Sequence, residues 1–174
     1  AFVLDEAHQA PETATRFFSV SLTARQIRDL CRDFLAESAE AAGAMGILRE
    51  PVADCLQKLR EIQLTIFERM PERGSWDELV RDGPVREALQ SLDYSINSLA
   101  DSASRLEGSA RGLDGCIERL KELQGRFDRF DAQLAGAEVR WFEKRGKGFA
   151  LHITPLEVSR VFNDFRQLAG AAWV

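Results

Sequence analysis

Apolar residues recur three and four positions apart through most of the chain, which predicts a mainly helical protein. Thr23 followed by Gln26 is a capping-box pattern that predicts a helix start, while Gly43 and Gly46 predict the end of that helix. Pro51 is expected to start a second helix, because proline fits the first helical turn. The expected buried stripes of these two helices are Ile27, Leu30, Cys31, Phe34 and Leu35, followed by Val52, Cys55, Leu56, Leu59, Ile62, Ile66 and Phe67.

A short helix is predicted between the second helix and a long periodic stretch. Pro71 is expected to stop the second helix, and Ser75 with Glu78 forms another capping box. Gly83 is expected to close the short helix, and Pro84 to begin the periodic stretch.

The stretch from 84 to 135 carries two apolar seams of coiled-coil type. The phase of the pattern shifts near three glycines, at 108, 112 and 115, where helix propensity is also lowest. We therefore expect two antiparallel helices of similar length, with one long bent helix as the alternative. The first seam is Val85, Leu89, Leu92, Ile96, Leu99, Ala103 and Leu106, and the second is Leu113, Cys116, Leu120, Leu123, Phe127, Phe130 and Leu134.

The helical pattern then gives way to strand-like alternation. Residues 139–142 and 149–153 are predicted to form a β-hairpin around an Arg-Gly-Lys-Gly turn. Thr154 as N-cap and Pro155 as first helical residue predict a final helix after the hairpin.

The two ends of the chain have the pattern of strands in a larger sheet. The apolar runs at 1–4 and 170–174 are typical of buried parallel strands, and natural domains rarely start or stop in mid-strand. We therefore expect the chain to be a piece of a larger protein, with a helical insert held between two strands of an α/β sheet. A short helix is expected over 11–20.

Two adjacent acids follow the first apolar run. Asp5 and Glu6, with His8 two residues later, are expected past the end of a buried strand, where ligands bind in open α/β sheets. Nucleotide-hydrolysing folds hold Mg²⁺ and an attacking water with acids in this place. The alternative is an acidic helix start with a solvated histidine.

Composition narrows the classes of function. A chain of 174 residues with 45% apolar residues can bury a core, and its net charge of -5 does not indicate a generally basic surface for nucleic acid. The sequence shows no apolar run of membrane-spanning length and no signal-peptide pattern. Cys31, Cys55 and Cys116 lack metal-site spacing and are expected to be small core side chains.

Both ends of the chain resemble one protein family. AFVLDEAHQAPETATRFF followed by SLTARQIRDL is similar to the segment after the Walker-B strand in XPD-like superfamily 2 DNA helicases, above all in their bacterial DinG/YoaA branch. FALHITPLEVSRVF followed by AGAAWV is similar to that family's approach to motif III. The helical middle matches the family only in length and character.

The resemblance implies a fold and a domain organisation. The fold class is mostly α: a helical Arch-type insertion of antiparallel long helices with a small β-hairpin, flanked by two strands of a RecA-like helicase domain. Residues 1–20 would be the motif II segment of the first helicase domain, 21–137 the Arch-like insertion, and 138–174 the return into that domain.

The resemblance also implies an activity, ATP hydrolysis coupled to 5′→3′ movement on single-stranded DNA, in repair or replication in the cytoplasm and with no membrane partner. Asp5 would hold Mg²⁺ through water, and Glu6 would orient or deprotonate the attacking water. His8 would couple the nucleotide site to neighbouring motifs. The P-loop and the 4Fe–4S cluster of the parent protein would lie before residue 1, and its second RecA-like domain after residue 174. The chain alone is therefore expected to be inactive.

The hairpin is the expected DNA contact. Arg140, Trp141, Lys144, Arg145 and Lys147 place cations beside an aromatic ring, which suits a surface that follows phosphates and stacks on bases. The alternative is a solvated hairpin tip whose aromatic side chains pack inward.

Three arginines of the first long helix offer a second candidate surface. Arg25, Arg28 and Arg32 lie on one side of that helix, where they would line the DNA passage or form an ordinary solvated face.

Two other functions stay open on the sequence alone. One is a non-enzymatic helical module that binds a protein partner, in which the two acids are incidental. The other is an RNA helicase of the DEAH-box kind. The long helical insert disfavours that reading, because motif III follows motif II much more closely in that family.

Overall fold

The computed structural model of the chain describes residues 19–132 and 138–156. Within these residues, five α-helices pack against one four-stranded antiparallel sheet, and the expected fold class, mostly helical with a small β-element, is confirmed. The helices are α1 (Ala24–Glu40), α2 (Ala44–Arg69), α3 (Trp76–Arg81), α4 (Gly83–Ser104) and α5 (Arg111–Asp131). The strands are β1 (Val20–Thr23), β2 (Arg73–Ser75), β3 (Glu138–Arg145) and β4 (Gly148–Pro155).

The sheet has the strand order β1-β4-β3-β2, and each neighbouring pair is antiparallel. β3 and β4 form the predicted hairpin, in which Phe142 lies opposite Leu151. β1 places Leu22 beside Leu151, and β2 places Gly74 beside Phe142. Paired positions share one face of a sheet, so these four residues lie on the same face. That face packs on the helices, because Leu22, Phe142 and Leu151 are fully buried.

One hydrophobic core joins this sheet face to the helices. Both predicted coiled-coil seams lie in it, apart from Leu134, which is outside the described residues. Each fully buried large apolar side chain contributes about 1.5–3 kcal/mol, so the seams dominate the stability of the helical part. The largest fully buried side chains include Phe34, Leu59, Ile62, Leu92, Phe130 and Phe149.

α4 and α5 are two separate antiparallel helices, as expected, and not one bent helix. The amide of Gln124 on α5 donates to the Asn97 side chain of α4 at 2.6 Å. Further along, Lys121 of α5 pairs with Glu107, just beyond α4, at 3.0 Å. Residues later in α5 therefore contact residues earlier in α4, as antiparallel helices require. Gly108, with φ of 80°, supplies the left-handed residue that the connection needs.

α2 begins earlier than the sequence predicted. The helix starts at Ala44, directly after Gly43 in a left-handed conformation, so Gly46 and Pro51 lie inside it. The predicted start at Pro51 and the glycine stop at 46 were therefore wrong. A proline inside a helix removes one backbone hydrogen bond. Because Ala44 and Leu48 are fully buried, packing of this first part of α2 on the core compensates for that loss.

Both predicted capping boxes are confirmed. The Thr23 hydroxyl accepts from the Gln26 backbone N–H at 3.1 Å, and the Gln26 side chain accepts from the Thr23 N–H at 2.9 Å. Ser75 and Glu78 make the same reciprocal pair at the start of α3. The prediction that Gly83 closes α3 was wrong, because α3 ends at Arg81 and Gly83 is the first residue of α4, for which Asp82 is the N-cap.

Two of the four strands were not predicted. Val20 was expected to end a helix, but it begins β1, whose alternating residues suit a half-buried strand. The Arg-Gly-Ser sequence of β2 has no strand periodicity, and only its pairing with β3 makes it a strand.

β4 runs further than predicted. It continues through Thr154 and Pro155, so the prediction of Pro155 as a first helical residue was wrong. Pro155 pairs with Glu138 of β3, whereas pairing with β1 ends at Ile153. The missing proline N–H therefore falls where β4 has a neighbour on one side only, which a sheet tolerates.

Several predictions fall outside the described residues. They are the opening strand at 1–4, the helix before residue 19, the remainder of the final helix and the closing strand at 170–174. The domain boundaries after residues 20 and 137 also stay predictions. The sheet contains residues from both sides of each boundary.

Candidate nucleic-acid interface around the hairpin

The predicted site residues divide into two groups. Asp5, Glu6 and His8, predicted to serve the nucleotide, lie outside the described residues, and their roles stay predictions. The five hairpin residues predicted to contact DNA are all described, on β3 or in the turn that follows it.

Arg140 caps the end of α5. Its guanidinium donates to the carbonyl of Phe130 and, at 3.1 Å, to that of Ala132. The last carbonyls of a helix lack partners within the helix, and a cation beside them also compensates the negative end of the helix dipole. Arg140 therefore stabilises the junction between β3 and α5.

Lys144 caps the end of α2 in a similar way. Its ammonium donates to the carbonyl of Phe67 at 3.0 Å and lies 5.0 Å from the centroid of the Phe67 ring. A carbonyl and an aromatic ring carry no net charge. The positive charge of Lys144 is therefore not neutralised by these contacts.

Arg145 is engaged with a buried acid. It pairs with Glu143, whose side chain is 7% exposed and also pairs with Arg73 at 2.9 Å. His152 places its Nε2 atom 3.3 Å from the same carboxylate. Burial works to raise the pKa of Glu143, but the hydrogen bonds from Arg145 and Arg73 outweigh it and hold that pKa below its usual value. Glu143 is therefore ionised at neutral pH, and much of the Arg145 charge is compensated.

Trp141 already has ring partners within the fold. It stacks on His152 with ring centroids 4.1 Å apart, and its indole N–H donates to the Thr154 hydroxyl at 3.1 Å. The Arg73 guanidinium lies 5.6 Å from its ring. As strand alternation predicted, Trp141 lies on the opposite face of the sheet from the buried Phe142.

The turn of the hairpin is tied to two helices. The Gln63 side chain of α2 donates to the carbonyl of Lys147 at 2.8 Å and accepts from Arg28 of α1 at 3.3 Å. The Lys147 side chain is exposed. Among the described residues, neither Lys147 nor Arg28 forms an ion pair with a carboxylate. Two residues whose cations lack such a pair are therefore tied to Gln63, Arg28 through its side chain and Lys147 through its backbone carbonyl.

The other two arginines of α1 form an ordinary solvated face. Arg25 and Arg32 both pair with Asp29, at 3.3 and 3.9 Å. Their side chains are 86% and 69% exposed, so these pairs contribute little to stability. Only Arg28 is turned toward the hairpin.

Phe67 is the residue that the sequence analysis placed wrongly. It was expected in the core stripe of α2, but it is 59% exposed, and Leu64 nearby is 63% exposed. The buried stripe runs through Leu59, Ile62 and Ile66. Phe67 follows Ile66 directly and is therefore rotated by about 100° around the helix axis. Phe67 does not fit the three- and four-residue spacing of that stripe, so the spacing alone would have kept it out of the predicted core.

The three cysteines are buried in the helical core, as expected, and each is 1% exposed. Cys31 of α1 and Cys55 of α2 are in side-chain contact, and this contact together with burial raises the pKa of Cys31. Burial also raises the pKa of Cys116, although Arg119 opposes the effect. Cys31 and Cys116 are therefore poor nucleophiles in the folded protein.

The described residues offer neither a metal-binding cluster nor a bilayer-spanning helix. They contain no group of three or more His, Cys, Asp or Glu side chains arranged to hold a metal ion. None of their helices is both long and apolar enough to cross a membrane.

Two curated proteins align with nearly the whole chain. The ATP-dependent DNA helicase YoaA of Haemophilus influenzae is 30% identical over 172 residues, and YoaA of Escherichia coli K12 is 28% identical over 174 residues. Each alignment covers 99% of this chain. The chain resembles a segment of YoaA helicases. It spans 27% of the length of each relative, and no family model matches it.

The similarity to YoaA confirms the resemblance to the DinG/YoaA branch that both chain ends indicated. It also extends through the helical middle, where the sequence analysis had matched only length and character. Because both relatives are named DNA helicases, the comparison favours a segment of such an enzyme over a non-enzymatic interaction module or an RNA helicase.

Proposed function

We propose that this chain is part of an ATP-dependent DNA helicase, in which it connects motif II to the approach to motif III through a helical insertion. The observation that carries the proposal is the similarity to two proteins named ATP-dependent DNA helicases across 99% of the chain. ATP hydrolysis would drive 5′→3′ movement on single-stranded DNA during repair or replication. Because its substrate would be DNA and both relatives are bacterial, we place the protein in the cytoplasm.

Asp5 and Glu6 would serve the Mg²⁺-bound nucleotide. Carboxylate oxygens are the ligands that Mg²⁺ takes from proteins, and Mg²⁺ keeps most of its waters, so Asp5 would hold it through water. Glu6 would orient the attacking water or accept its proton, and His8 would couple this site to neighbouring motifs. The P-loop and the second RecA-like domain would come from the rest of the protein.

The test of the nucleotide site is Glu6→Gln in the full-length protein. This change keeps the size of the side chain but removes its charge, so we expect ATP turnover to be lost while nucleotide binding is retained. Glu12→Gln, which removes a charge from a nearby acid, is the matched control and should leave turnover intact. Normal ATP turnover in Glu6→Gln would refute the assignment.

A 4Fe–4S cluster of the whole protein would have to use cysteines outside this chain. Such clusters are held by four thiolates, whereas this chain has three cysteines, all buried in the packing of α1, α2 and α5. We expect the iron content of the full-length protein to be unchanged when all three are replaced by alanine. Loss of iron from a variant that still folds would contradict this.

Single-stranded DNA is the proposed substrate, and the hairpin is its proposed contact. The charge of Arg145 faces Glu143, whereas Arg140, Lys144 and Lys147 form no ion pair among the described residues, and the guanidinium of Arg140 is held by the carbonyls at the end of α5. Replacing Lys144, Arg145 and Lys147 together by glutamine should weaken DNA affinity and reduce its salt dependence. Unchanged affinity and salt dependence would exclude the hairpin as a contact.

A further inference from the structure

We propose that α1, α2 and the hairpin turn form one binding site for single-stranded DNA, with Phe67 as the residue that stacks on a base. The inference rests on the proposed helicase function and specifies where on this segment the strand lies. We call this surface the Phe67 site. It consists of Arg28, Gln63, Phe67, Lys144 and Lys147.

The first argument is the exposure of Phe67. Among the described residues, the five other phenylalanines are at most 4% exposed, whereas Phe67 is 59% exposed. Leu64 lies one turn earlier on the same side of α2 and is also exposed, which extends the apolar surface. An exposed aromatic face beside cations is what a protein uses to stack on bases without sequence preference.

The second argument is charge. Among the described residues, the Lys144 side chain contacts only the Phe67 carbonyl and ring, Lys147 is exposed, and Arg28 bonds to the neutral Gln63 side chain. Cations without an ion pair also occur elsewhere on the described helices or at their ends, Arg49 and Arg105 among them, so what distinguishes this surface is the exposed aromatic ring that Lys144 contacts. In a chain whose net charge is -5, an exposed aromatic ring in contact with Lys144, with Arg28 and Lys147 tied to Gln63 about one helical turn away, forms a local site for an anionic polymer.

The third argument is the arrangement of these groups on one surface. Gln63 and Phe67 are four residues apart and therefore neighbours on the same face of α2. Gln63 contacts both Arg28 and the Lys147 backbone, while Lys144 contacts Phe67. A strand laid along this face would meet Lys144 at the stacking residue and Arg28 and Lys147 about one helical turn away.

The same arrangement excludes Trp141 as the stacking residue of this site. Side chains alternate along β3, so Trp141 projects from the opposite face of the strand to Lys144. Its ring is stacked on His152 and its N–H is bonded to Thr154. Base stacking at Trp141 would have to displace these contacts, whereas Phe67 is 59% exposed and has the Lys144 ammonium beside its ring.

The experiment measures binding of a fluorescein-labelled oligothymidylate to the full-length protein by anisotropy, over a series of salt concentrations. Phe67→Ala should weaken affinity by about fivefold or more, because one base stack is lost. The salt slope should not change, because no charge is removed. Lys147→Gln should instead reduce the magnitude of that slope by about 0.7, the value for one phosphate contact on a single strand. Phe67→Trp should bind the oligonucleotide as tightly as the unmodified protein, because an indole ring can also stack on a base.

Two controls match these variants. Tyr94→Ala removes a still more exposed aromatic ring, 76% exposed, from a part of α4 that is bordered by Asp54, Glu87 and Lys58, the last of which pairs with Glu61. Lys121→Gln removes one exposed cation from α5. Both should bind the oligonucleotide as the unmodified protein does. Circular dichroism of Phe67→Ala should show an unchanged fold, because the side chain is exposed.

The outcomes separate this inference from the proposed function. If the unmodified protein binds the oligonucleotide and Phe67→Ala binds it as Tyr94→Ala does, the Phe67 site is refuted and the helicase proposal stands. If the unmodified protein neither binds DNA nor shows DNA-stimulated ATP hydrolysis, the helicase proposal itself fails. If Phe67→Ala keeps its DNA affinity but loses a protein partner, the site serves that partner and the inference is wrong.

Discussion

Gly74 and Phe142 lie so close together that a β-carbon at Gly74 would come within 2.7 Å of the Cε1 atom of the Phe142 ring. The two residues face each other across β2 and β3. Phe142 is fully buried, so its ring is packed on all sides and has little room to turn away. The pairing of the three-residue β2 with the sheet therefore depends on the absence of a side chain at Gly74.

Gly74→Ala should lower the free energy of unfolding by about 1–3 kcal/mol, the usual effect of overpacking a tight core. The measurement is urea-induced unfolding followed by circular dichroism. Gly115→Ala is the matched control, because a β-carbon on this helical glycine would meet no atom within 4 Å. It should raise stability by about 0.5–1 kcal/mol, since alanine favours a helix more than glycine does. Equal effects of the two substitutions would contradict the packing argument.

Gly112→Ala should be tolerated, even though its β-carbon would approach an atom more closely than at Gly74. The nearest atom is the Oε2 of Glu37, 1.7 Å away, and it ends a flexible side chain. That carboxylate can rotate aside, whereas the Phe142 ring cannot. We expect a change within about 0.5 kcal/mol in the same unfolding experiment. A loss as large as that of Gly74→Ala would show that Glu37 is held in place.

The stability of the sheet should fall as the solution becomes mildly acidic. Burial lowers the pKa of His152 from the usual 6.5, although Glu143 opposes the shift and Arg145 and Arg73 add to it. The unfolded chain therefore binds a proton at a higher pH than the folded one. Stability is greatest above about 6.5 and is lost as the pH falls through that value toward the folded pKa.

The urea midpoint measured as a function of pH tests this prediction. His152→Gln should reduce the loss of stability between neutral pH and about pH 5. The chain has two histidines, so His8→Gln provides the control and should keep the loss seen in the unmodified chain. An equally steep loss in His152→Gln would place the titrating group elsewhere.

Arg145 and Lys147 should differ in their effects on stability, although they lie two residues apart. Arg145→Gln removes one of the positive charges that compensate the Glu143 carboxylate, which is 7% exposed. It should lower the free energy of unfolding by about 1–3 kcal/mol. Lys147→Gln changes an exposed side chain and should stay within about 0.5 kcal/mol. The measurement is thermal unfolding at neutral pH. A comparable loss in both variants would mean that the turn itself, and not the buried acid, is sensitive.

The sequence predicted those parts of the fold that local chemistry determines. The reciprocal bonds at Thr23 and at Ser75 need only residues three positions apart, so the capping boxes were visible in the sequence. The seams of α4 and α5 were equally visible, because long helices repeat one apolar phase. The hairpin followed from its alternating residues and its glycine turn.

The parts that could not be predicted depend on contacts between distant residues. β2 is a strand only because β3 lies beside it, and α2 runs through Pro51 only because Ala44 and Leu48 are buried. At the candidate interface, the sequence predicted that the hairpin forms, while its contact with DNA stays a prediction. It gave no sign that Arg145 faces a buried acid or that Phe67 is exposed, since both follow from how the sheet packs on the helices.

The two capping cations of β3 have a mechanical consequence. Arg140 holds the last carbonyls of α5, and Lys144 holds a carbonyl near the end of α2. A force applied to the hairpin would therefore act on α2 and α5 together, although these helices are far apart in the chain. Under the proposed function, tension from a DNA strand held at the hairpin would load both helices at once.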